Sequence, residues 1–119
     1  MRLNRRALQH ARSLIGRGRV VLDERGACSR HRPTTRQRDA YIRRQGIRGY
    51  GTWFLEIDDQ AAEGTKTRYR IPYGDFENVH RCAVLSAEER AGRHRYHAIG
   101  AAAANLHEML DQLTQEVEA

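Results

Sequence analysis

The sequence predicts an α+β domain in which a small antiparallel hairpin, or a three-stranded sheet, packs against about four helices. Three observations favour this class. Apolar residues recur at helical spacing in several segments, two segments alternate as strands do, and 119 residues is the length of one domain. We therefore interpret residues 1–119 as a single domain with a basic N-terminal helical part (1–48) and an α+β core (49–119).

The first helix is predicted over residues 4–16. Asn4 is a favoured N-cap residue, and Gly16 stands where the apolar periodicity stops. The basic side chains lie mainly off the apolar face, which makes the helix amphipathic. The apolar face consists of Ala7, Leu8, Ala11, Leu14 and Ile15.

Two further elements are predicted before residue 49. The segment 19–22 is short and apolar, which fits either a strand or a packed turn. Thr34 or Thr35 caps a second helix over about 35–45, and Gly46 ends it. This helix has few apolar residues, so we expect it to dock shallowly.

The two strands of the hairpin are predicted at 50–57 and 67–71. Both segments are rich in aromatic and β-branched residues, and a polar connection containing Gly64 separates them. Bases of single-stranded nucleic acid could stack on these aromatic rings while the interleaved arginines hold the backbone. A small domain needs its few large side chains for its core, however, and we favour the core.

Two helices complete the prediction. Asp75 follows a Pro-Tyr-Gly turn and is a natural N-cap, so a helix is expected from about residue 76. It could break or restart at Ser86, which opens a capping-box pattern, and Gly92 ends it. The last helix, over about 97–117, has the clearest apolar face. That face consists of Ile99, Ala102, Leu106, Met109, Leu110, Leu113 and Val117.

Charge is strongly segregated along the chain. The net charge is +6, but residues 1–48 hold fourteen arginines and three acidic residues, whereas residues 49–119 hold seven basic and twelve acidic residues. All basic residues but one are arginine, whose planar fork binds phosphate with two hydrogen bonds. A GC-rich genome would explain the arginine excess but not the clustering. The pattern favours a basic surface for an anionic partner.

We therefore predict that the basic half binds an anionic polymer, with nucleic acid as the favoured partner. Such contacts neutralise phosphates, are independent of base sequence and weaken with salt. The sequence does not separate DNA from RNA. The arginines expected to make these contacts are Arg2, Arg5, Arg6, Arg12, Arg17, Arg19, Arg36, Arg38, Arg43 and Arg44.

The cysteines and two histidines form one suggestive set, Cys28-x-x-His31 and His80-x-Cys82. Two Cys and two His could bind zinc tetrahedrally. On a helix, however, residues two apart project about 200° from each other, so His80 and Cys82 are not expected to bind one ion. We predict no metal and no cofactor. Two cysteines are also too few for a disulfide scaffold, so Cys82 is expected to pack as a small apolar side chain.

The sequence shows no glycine-rich phosphate loop, no nucleophile elbow and no pair of carboxylates at a plausible spacing. We therefore predict that the protein is not an enzyme. His94 and His97, with His80 on the preceding helix, could cleave RNA as acid and base, which keeps a small ribonuclease as an alternative. Asp75, His80 and Arg81 form a candidate polar site, for which bonding within the fold is the favoured role.

Residues 69–82 carry a Pro-Tyr-Gly-Asp-Phe pattern followed by Val-His-Arg. This segment resembles small uncharacterised bacterial and phage-associated proteins, and the resemblance extends over roughly 50–110. The spacing is also loosely similar to helical segments attached to phage prohead proteases, without the protease residues. The resemblance implies a shared fold and brings no activity, cofactor or site residue with it.

A second class of function stays open. The acidic last helix could pair with itself or with a protein partner through Leu106, Met109, Leu110 and Leu113, which would make the chain an assembly module in keeping with the phage-associated resemblance. No apolar run is long enough to span a membrane, and no secretory signal follows the basic start. We therefore expect a cytoplasmic protein, with reduced cysteines and no membrane partner.

Overall fold

The computed structural model describes the backbone of residues 1–118 and the side chains of residues 1–116. Over these residues, five α-helices accompany a three-stranded antiparallel sheet and a two-stranded parallel sheet, which confirms the α+β class. The elements are β1 (Arg2–Leu3), α1 (Arg5–Gly16), β2 (Val20–Val21), α2 (Cys28–His31), α3 (Thr35–Gly51), β3 (Phe54–Ile57), a 3-10 turn (Lys66–Arg68), β4 (Tyr69–Pro72), β5 (Val79–His80), α4 (Arg81–His94) and α5 (His97–Glu118).

The predicted hairpin forms, and the start of the chain adds a third strand to it. β3 pairs antiparallel with β4, with Glu56 opposite Arg70, and β1 pairs with the other edge of β3, with Leu3 opposite Glu56. β3 is buried along its whole length because α1 and α5 pack against it. Tyr50 and Gly51, which were predicted in the first strand, belong to α3 instead.

α1 has the predicted bounds, and its cap also ties it to the sheet. Asn4 is buried, and its Oδ1 accepts a hydrogen bond from the backbone N–H of Ala7 at 3.4 Å. The Nδ2 group of Asn4 donates to the carbonyl oxygens of Gly51 (2.9 Å) and Phe54 (3.1 Å). One short side chain therefore both begins the helix and fixes it beside the central strand.

α3 begins as predicted but extends further. Thr34 is its N-cap and forms a capping box with Gln37. Gly46, the predicted end, lies at a φ of 75°, the left-handed region that favours glycine. The helix is broken there, and helical turns resume as far as Gly51.

The segment after β4 differs from the prediction. Asp75 does not cap a helix: its Oδ1 accepts hydrogen bonds from the backbone N–H groups of Glu77 (3.0 Å) and Asn78 (2.8 Å), which closes a turn. Val79 and His80 then form β5, which pairs parallel with β2. The next helix starts five residues later than expected, and His80 lies before it rather than within it.

α4 and α5 pack against each other and complete the fold. α4 is continuous through Ser86, where a break was predicted. It ends at His94 rather than at Gly92, and Arg95 after it adopts a left-handed conformation with a φ of 57°. In the described part of the chain, no helix combines the length and apolar character that a membrane crossing requires.

The apolar face of α5 is used inside the fold. Leu106 and Leu110 are fully buried, and Met109 and Leu113 pack against the same core while partly buried. The side chain of Val117 lies outside the described residues. Among the side chains that the structure describes, the four residues proposed for self-association therefore form no exposed apolar stripe.

The aromatic residues of the hairpin form the core rather than a stacking platform. Trp53, Phe54 and Tyr73 are each no more than 3% exposed. Trp53 stacks on Tyr73 with ring centroids 5.4 Å apart, and its Nε1 donates to the hydroxyl of Tyr41 at 3.0 Å. These rings are not accessible to bases of a nucleic acid.

Candidate functional site: a basic groove and a buried histidine cluster

A broad groove opens beside the first residues of the chain. β1, the start of α1, the end of α3 and the 3-10 turn before β4 surround a space of about 900 Å³. Three of its arginines belong to the predicted set, and two others come from distant parts of the sequence. We call this the basic groove, and its arginines are Arg2, Arg5, Arg6, Arg48 and Arg68.

The basic groove holds more positive charge than its neighbouring carboxylates neutralise. Arg2 Nε lies 3.0 Å and Arg68 Nη2 3.4 Å from the carboxylate of Asp59, so two arginines share one acid. The other three groove arginines form no ion pair among the described side chains. Glu63 is the one acidic residue in the described lining. An external polyanion would therefore meet available guanidinium groups.

The other seven predicted arginines do not line this groove. Arg19 Nε donates to the side-chain oxygen of Asn78 at 3.2 Å. Arg43 and Arg44 line a smaller concavity, of about 450 Å³, that they share with two acidic residues. The remaining members of the set are Arg12, Arg17, Arg36 and Arg38.

A second site is buried where β5 meets the start of α4. The side chain of His80 is 7% exposed, its Nδ1 lies 2.8 Å from Oδ2 of Asp23, and its Nε2 lies 2.7 Å from Oδ2 of Asp75. Because each ring nitrogen faces a carboxylate oxygen, both nitrogens donate and the ring is held as an imidazolium. Arg81, the third member of the predicted polar site, donates to the backbone carbonyl of Asp23 at 3.4 Å.

The two carboxylates control the ionisation of this ring. Burial by itself lowers the pKa of His80, but the hydrogen bonds to Asp23 and Asp75 outweigh burial, and the pKa is raised. The pKa values of both carboxyls are lowered. Burial would raise them, but hydrogen bonds from the backbone N–H groups of Cys82 and Asn78, and from His80, outweigh it. The charged form of all three groups is favoured.

Asp23 is the functional candidate that the sequence did not indicate. Its Oδ1 accepts from the backbone N–H of Cys82 at 2.7 Å, so it takes the place at the start of α4 that was predicted for Asp75. Its Oδ2 is shared by Nδ1 of His80 and Nδ1 of His31, the latter at 2.7 Å. An acid in a charged loop carries no local signal of such a role, because two of its three partners, His80 and Cys82, lie 57 and 59 residues away.

The two cysteines are joined. Cys28 and Cys82 form a disulfide across 54 residues, which corrects the prediction of two separate reduced thiols. The objection to a shared ligand set also fails, because His80 lies in β5 and the helical projection angle does not apply to it. Ligand atoms of Asp23, His31, His80 and Cys82 all lie within 4.8 Å of one another. With Asp75, these four residues are called the His80 cluster below.

His80 lies far from His94, its partner in the ribonuclease alternative. His80 precedes α4 and His94 ends it, a separation of about 20 Å at 1.5 Å per residue. His94 and His97 are exposed, and His94 stacks on Tyr96 with centroids 5.3 Å apart. His80 and His94 cannot act as acid and base on one phosphodiester in this arrangement.

Comparisons with protein-family models, with curated proteins and with solved structures returned no match to this chain. The resemblance to bacterial and phage-associated proteins therefore stays a prediction.

Proposed function

We propose that the chain is a cytoplasmic, non-enzymatic domain that binds nucleic acid through the basic groove. The observation that supports this proposal is the convergence of five arginines on one concavity, three of them without a carboxylate partner among the described side chains. A guanidinium group offers a fixed fork of donors to phosphate oxygens. Contacts of this kind hold the nucleic-acid backbone and do not depend on base identity.

The groove narrows the set of binding residues predicted from charge alone. Arg2, Arg5 and Arg6 enter from the chain start, whereas Arg48 and Arg68 approach from α3 and from the turn before β4. β1 pairing and the Asn4 side chain fix the backbone near Arg2, Arg5, Arg6 and Arg48. The backbone N–H of Asp58 donates to the carbonyl of Arg68 at 2.8 Å. We expect the backbone of a single strand or duplex to lie along this surface.

Salt dependence tests the proposal most directly. Neutralising about five phosphates predicts an affinity loss of about 100-fold or more between about 50 mM and about 200 mM salt, because counterions are released on binding. Fluorescence anisotropy of labelled single-stranded and duplex oligonucleotides, with DNA and RNA in parallel, measures it. A flat response to salt, or no binding at low salt, would contradict the proposal.

A pair of double variants locates the surface. Arg5→Ala with Arg6→Ala removes two adjacent arginines from the groove, and Arg43→Ala with Arg44→Ala removes two adjacent arginines from α3 outside it. The first double variant should reduce the magnitude of the slope of log binding constant against log salt concentration by about two. It should also weaken binding to every oligonucleotide sequence tested. The second should leave the affinity nearly unchanged. The reverse pattern would place binding on α3 and not in the groove.

A further inference from the structure

We propose that the reduced chain binds one zinc ion through Asp23, His31, His80 and Cys82, and that the Cys28–Cys82 disulfide closes this site in the oxidised chain. Carboxylate, imidazole and thiolate groups are the ligands that zinc takes in proteins, and a structural site holds four of them. The proposal concerns the His80 cluster alone and shares no residue with the basic groove.

The first support is convergence on one point. Oδ2 of Asp23 lies 2.7 Å from Nδ1 of His31 and 2.8 Å from Nδ1 of His80. With the sulfur of Cys82, the four ligand atoms fall within 4.8 Å of one another. Zinc bonds of about 2.0 to 2.3 Å place tetrahedral ligands roughly 3.3 to 3.8 Å apart. Side-chain movements on the order of 1 Å would therefore complete the shell.

The second support is the set of contacts behind the ligands. Zinc-binding histidines commonly donate their other ring N–H to a carboxylate, which fixes the ring and its tautomer. Nε2 of His80 already faces Oδ2 of Asp75 at 2.7 Å, and Asp75 is itself held by two backbone N–H groups. On the opposite side, the backbone N–H of Cys82 occupies Oδ1 of Asp23 and leaves Oδ2 for a metal. Both arrangements exist without the ion.

Charge and access also suit a divalent cation. One carboxylate and one thiolate neutralise Zn²⁺. Both imidazoles bind in their neutral form through Nδ1 with their one proton on Nε2, so His80 releases its Nδ1 proton and keeps the Nε2–H that faces Asp75. A cavity of about 190 Å³ is lined by His31, His80 and Cys82, among others, and opens a route to the ligand atoms. His31 is partly exposed, with 38% of its side chain accessible.

The redox step balances with a dithiol as reductant. The dithiol gives two electrons and two protons to the Cys28–Cys82 bond, and it becomes a disulfide itself while both cysteines become thiols. Cys82 then loses its proton to solvent as its sulfur binds zinc, and Cys28 stays a thiol. Because a reducing cytoplasm keeps cysteines as thiols, the zinc form is the one expected there. The disulfide form belongs to oxidising conditions.

Metal titration of the whole chain tests the proposal. The chain is reduced with a phosphine, freed of metal, and titrated with Zn²⁺ against a chromophoric chelator and, separately, with Co²⁺. We expect one ion per chain and the visible absorption of tetrahedral cobalt together with a thiolate charge-transfer band. The oxidised chain should bind at least about 100-fold more weakly and lack that band, because it loses a ligand. No binding by the reduced chain, or equal binding by both forms, would overturn the proposal.

Two cysteine variants separate loss of the disulfide from loss of a ligand. Cys28→Ser and Cys82→Ser both abolish the disulfide, and circular dichroism checks that each variant folds. Cys28→Ser should bind zinc without any reductant, whereas Cys82→Ser should bind at least about 100-fold more weakly. Failure of Cys28→Ser, when folded, to bind zinc, or equal affinities for the two variants, would contradict the assignment of Cys82 as a ligand.

A pair of histidine variants tests the site at positions that are not buried. His31→Ala removes a partly exposed ligand, and His97→Ala removes an exposed histidine outside the cluster. The first should weaken zinc binding by about 100-fold, and the second should leave it unchanged. Asp75→Asn, which alters only the contact behind His80, should weaken binding by about 10- to 100-fold. Identical affinities for His31→Ala and His97→Ala would overturn the proposal.

Discussion

The basic groove and the His80 cluster differ in how exposed their charged groups are and in how completely those groups are paired. In the groove, four of the five arginines are exposed, and most of the five lack a carboxylate partner among the described side chains. In the cluster, His80 and Asp23 are almost fully buried, and each charged atom has a partner within 2.8 Å. Exposed charge is screened by salt and replaceable one residue at a time. Buried charge depends on a complete set of partners.

Because of this difference, we expect the cluster to contribute mainly to the stability of the fold and the groove mainly to ligand binding. A groove of exposed arginines contributes little to folding, so its residues are available for a ligand. A buried cluster that joins Asp23 and α2 to the start of α4 links segments more than fifty residues apart and contributes to holding the fold together. We therefore expect changes in the cluster to alter unfolding and changes in the groove to alter nucleic-acid affinity.

Reduction of the disulfide should have the largest effect on stability. The bond closes a loop of 54 residues, and the loss of loop entropy in the unfolded chain corresponds to about 4 kcal/mol. Urea unfolding of the metal-free chain, oxidised against reduced, measures it. Zn²⁺ should restore part of the loss, whereas oligonucleotide binding by the folded chain should stay the same because Cys28 and Cys82 are outside the groove. A cost below about 1 kcal/mol would show that the disulfide does not restrain this region.

Asp23→Ala should have the next largest effect. In the oxidised chain it leaves the imidazolium of His80 with one carboxylate and the N–H of Cys82 without its acceptor. Breaking a buried pair costs about 3 kcal/mol or more in unfolding free energy. The matched change in the groove is Asp59→Ala, whose ion pair with Arg2 is about half exposed, and its cost should stay below about 1 kcal/mol. Equal costs for the two variants would remove the distinction between the regions.

The parts of the fold that the sequence predicted are those with local signals. Asn4 and Gly16 bound α1, Thr34 begins α3, and the apolar period of α5 exceeds five turns. The parallel pairing of β2 with β5 could not be predicted, because two-residue strands have no periodicity to detect. Asp75 was predicted to cap a helix, but its side chain closes a turn instead. α4 therefore starts later than predicted, and His80 lies before the helix rather than within it.

The same limit applies to the two sites. Arg2, Arg5 and Arg6 were predicted because they crowd the chain start, but Arg48 and Arg68 reach the groove only through the folding of α3 and the hairpin. The environment of His80 depends on a contact with Asp23, 57 residues earlier in the chain, and on another with Asp75, five residues earlier. Charge composition predicts which half is basic, and only tertiary structure selects the members of a site.

Asp59→Ala should also act on binding, with a smaller effect. Asp59 pairs with both Arg2 and Arg68, so its removal frees Arg2 and one amino group of Arg68, whose Nη1 still donates to the carbonyl of Ala61 at 3.1 Å. Exposed ion pairs are worth about 0.2 to 1 kcal/mol, which predicts about two- to fivefold tighter oligonucleotide binding at low salt. The matched control is Asp39→Ala, which removes the equally exposed pair with Lys66 outside the groove lining. Tighter binding by both variants would reflect net charge alone and not the groove.

The smallest expected effect on stability concerns His10. This residue shows how burial changes the pKa of a histidine that has no carboxylate partner among the described side chains. Burial lowers its pKa, and the charge of Arg17 lowers it further, against a smaller opposing contribution from the Thr52 backbone. The His10 ring contacts the hydroxyl of Tyr73 at 2.9 Å, and that hydroxyl donates to the carbonyl of Thr52, so His10 Nδ1–H is the donor. Because the folded pKa lies below the unfolded value, this contribution to stability is present above about pH 6.5 and falls as the pH decreases through the folded pKa.

His10→Asn keeps a donor for Tyr73 and removes the titration. The stability difference between the natural chain and this variant should therefore shift toward the variant between about pH 7.5 and about pH 5, by less than about 1 kcal/mol. Urea unfolding of both oxidised, metal-free chains across this range measures the shift. A shift in the opposite direction would mean that protonated His10 is stabilised in the fold. Burial would then not lower the pKa of His10, and the raised pKa of His80 could no longer be attributed to its carboxylate partners.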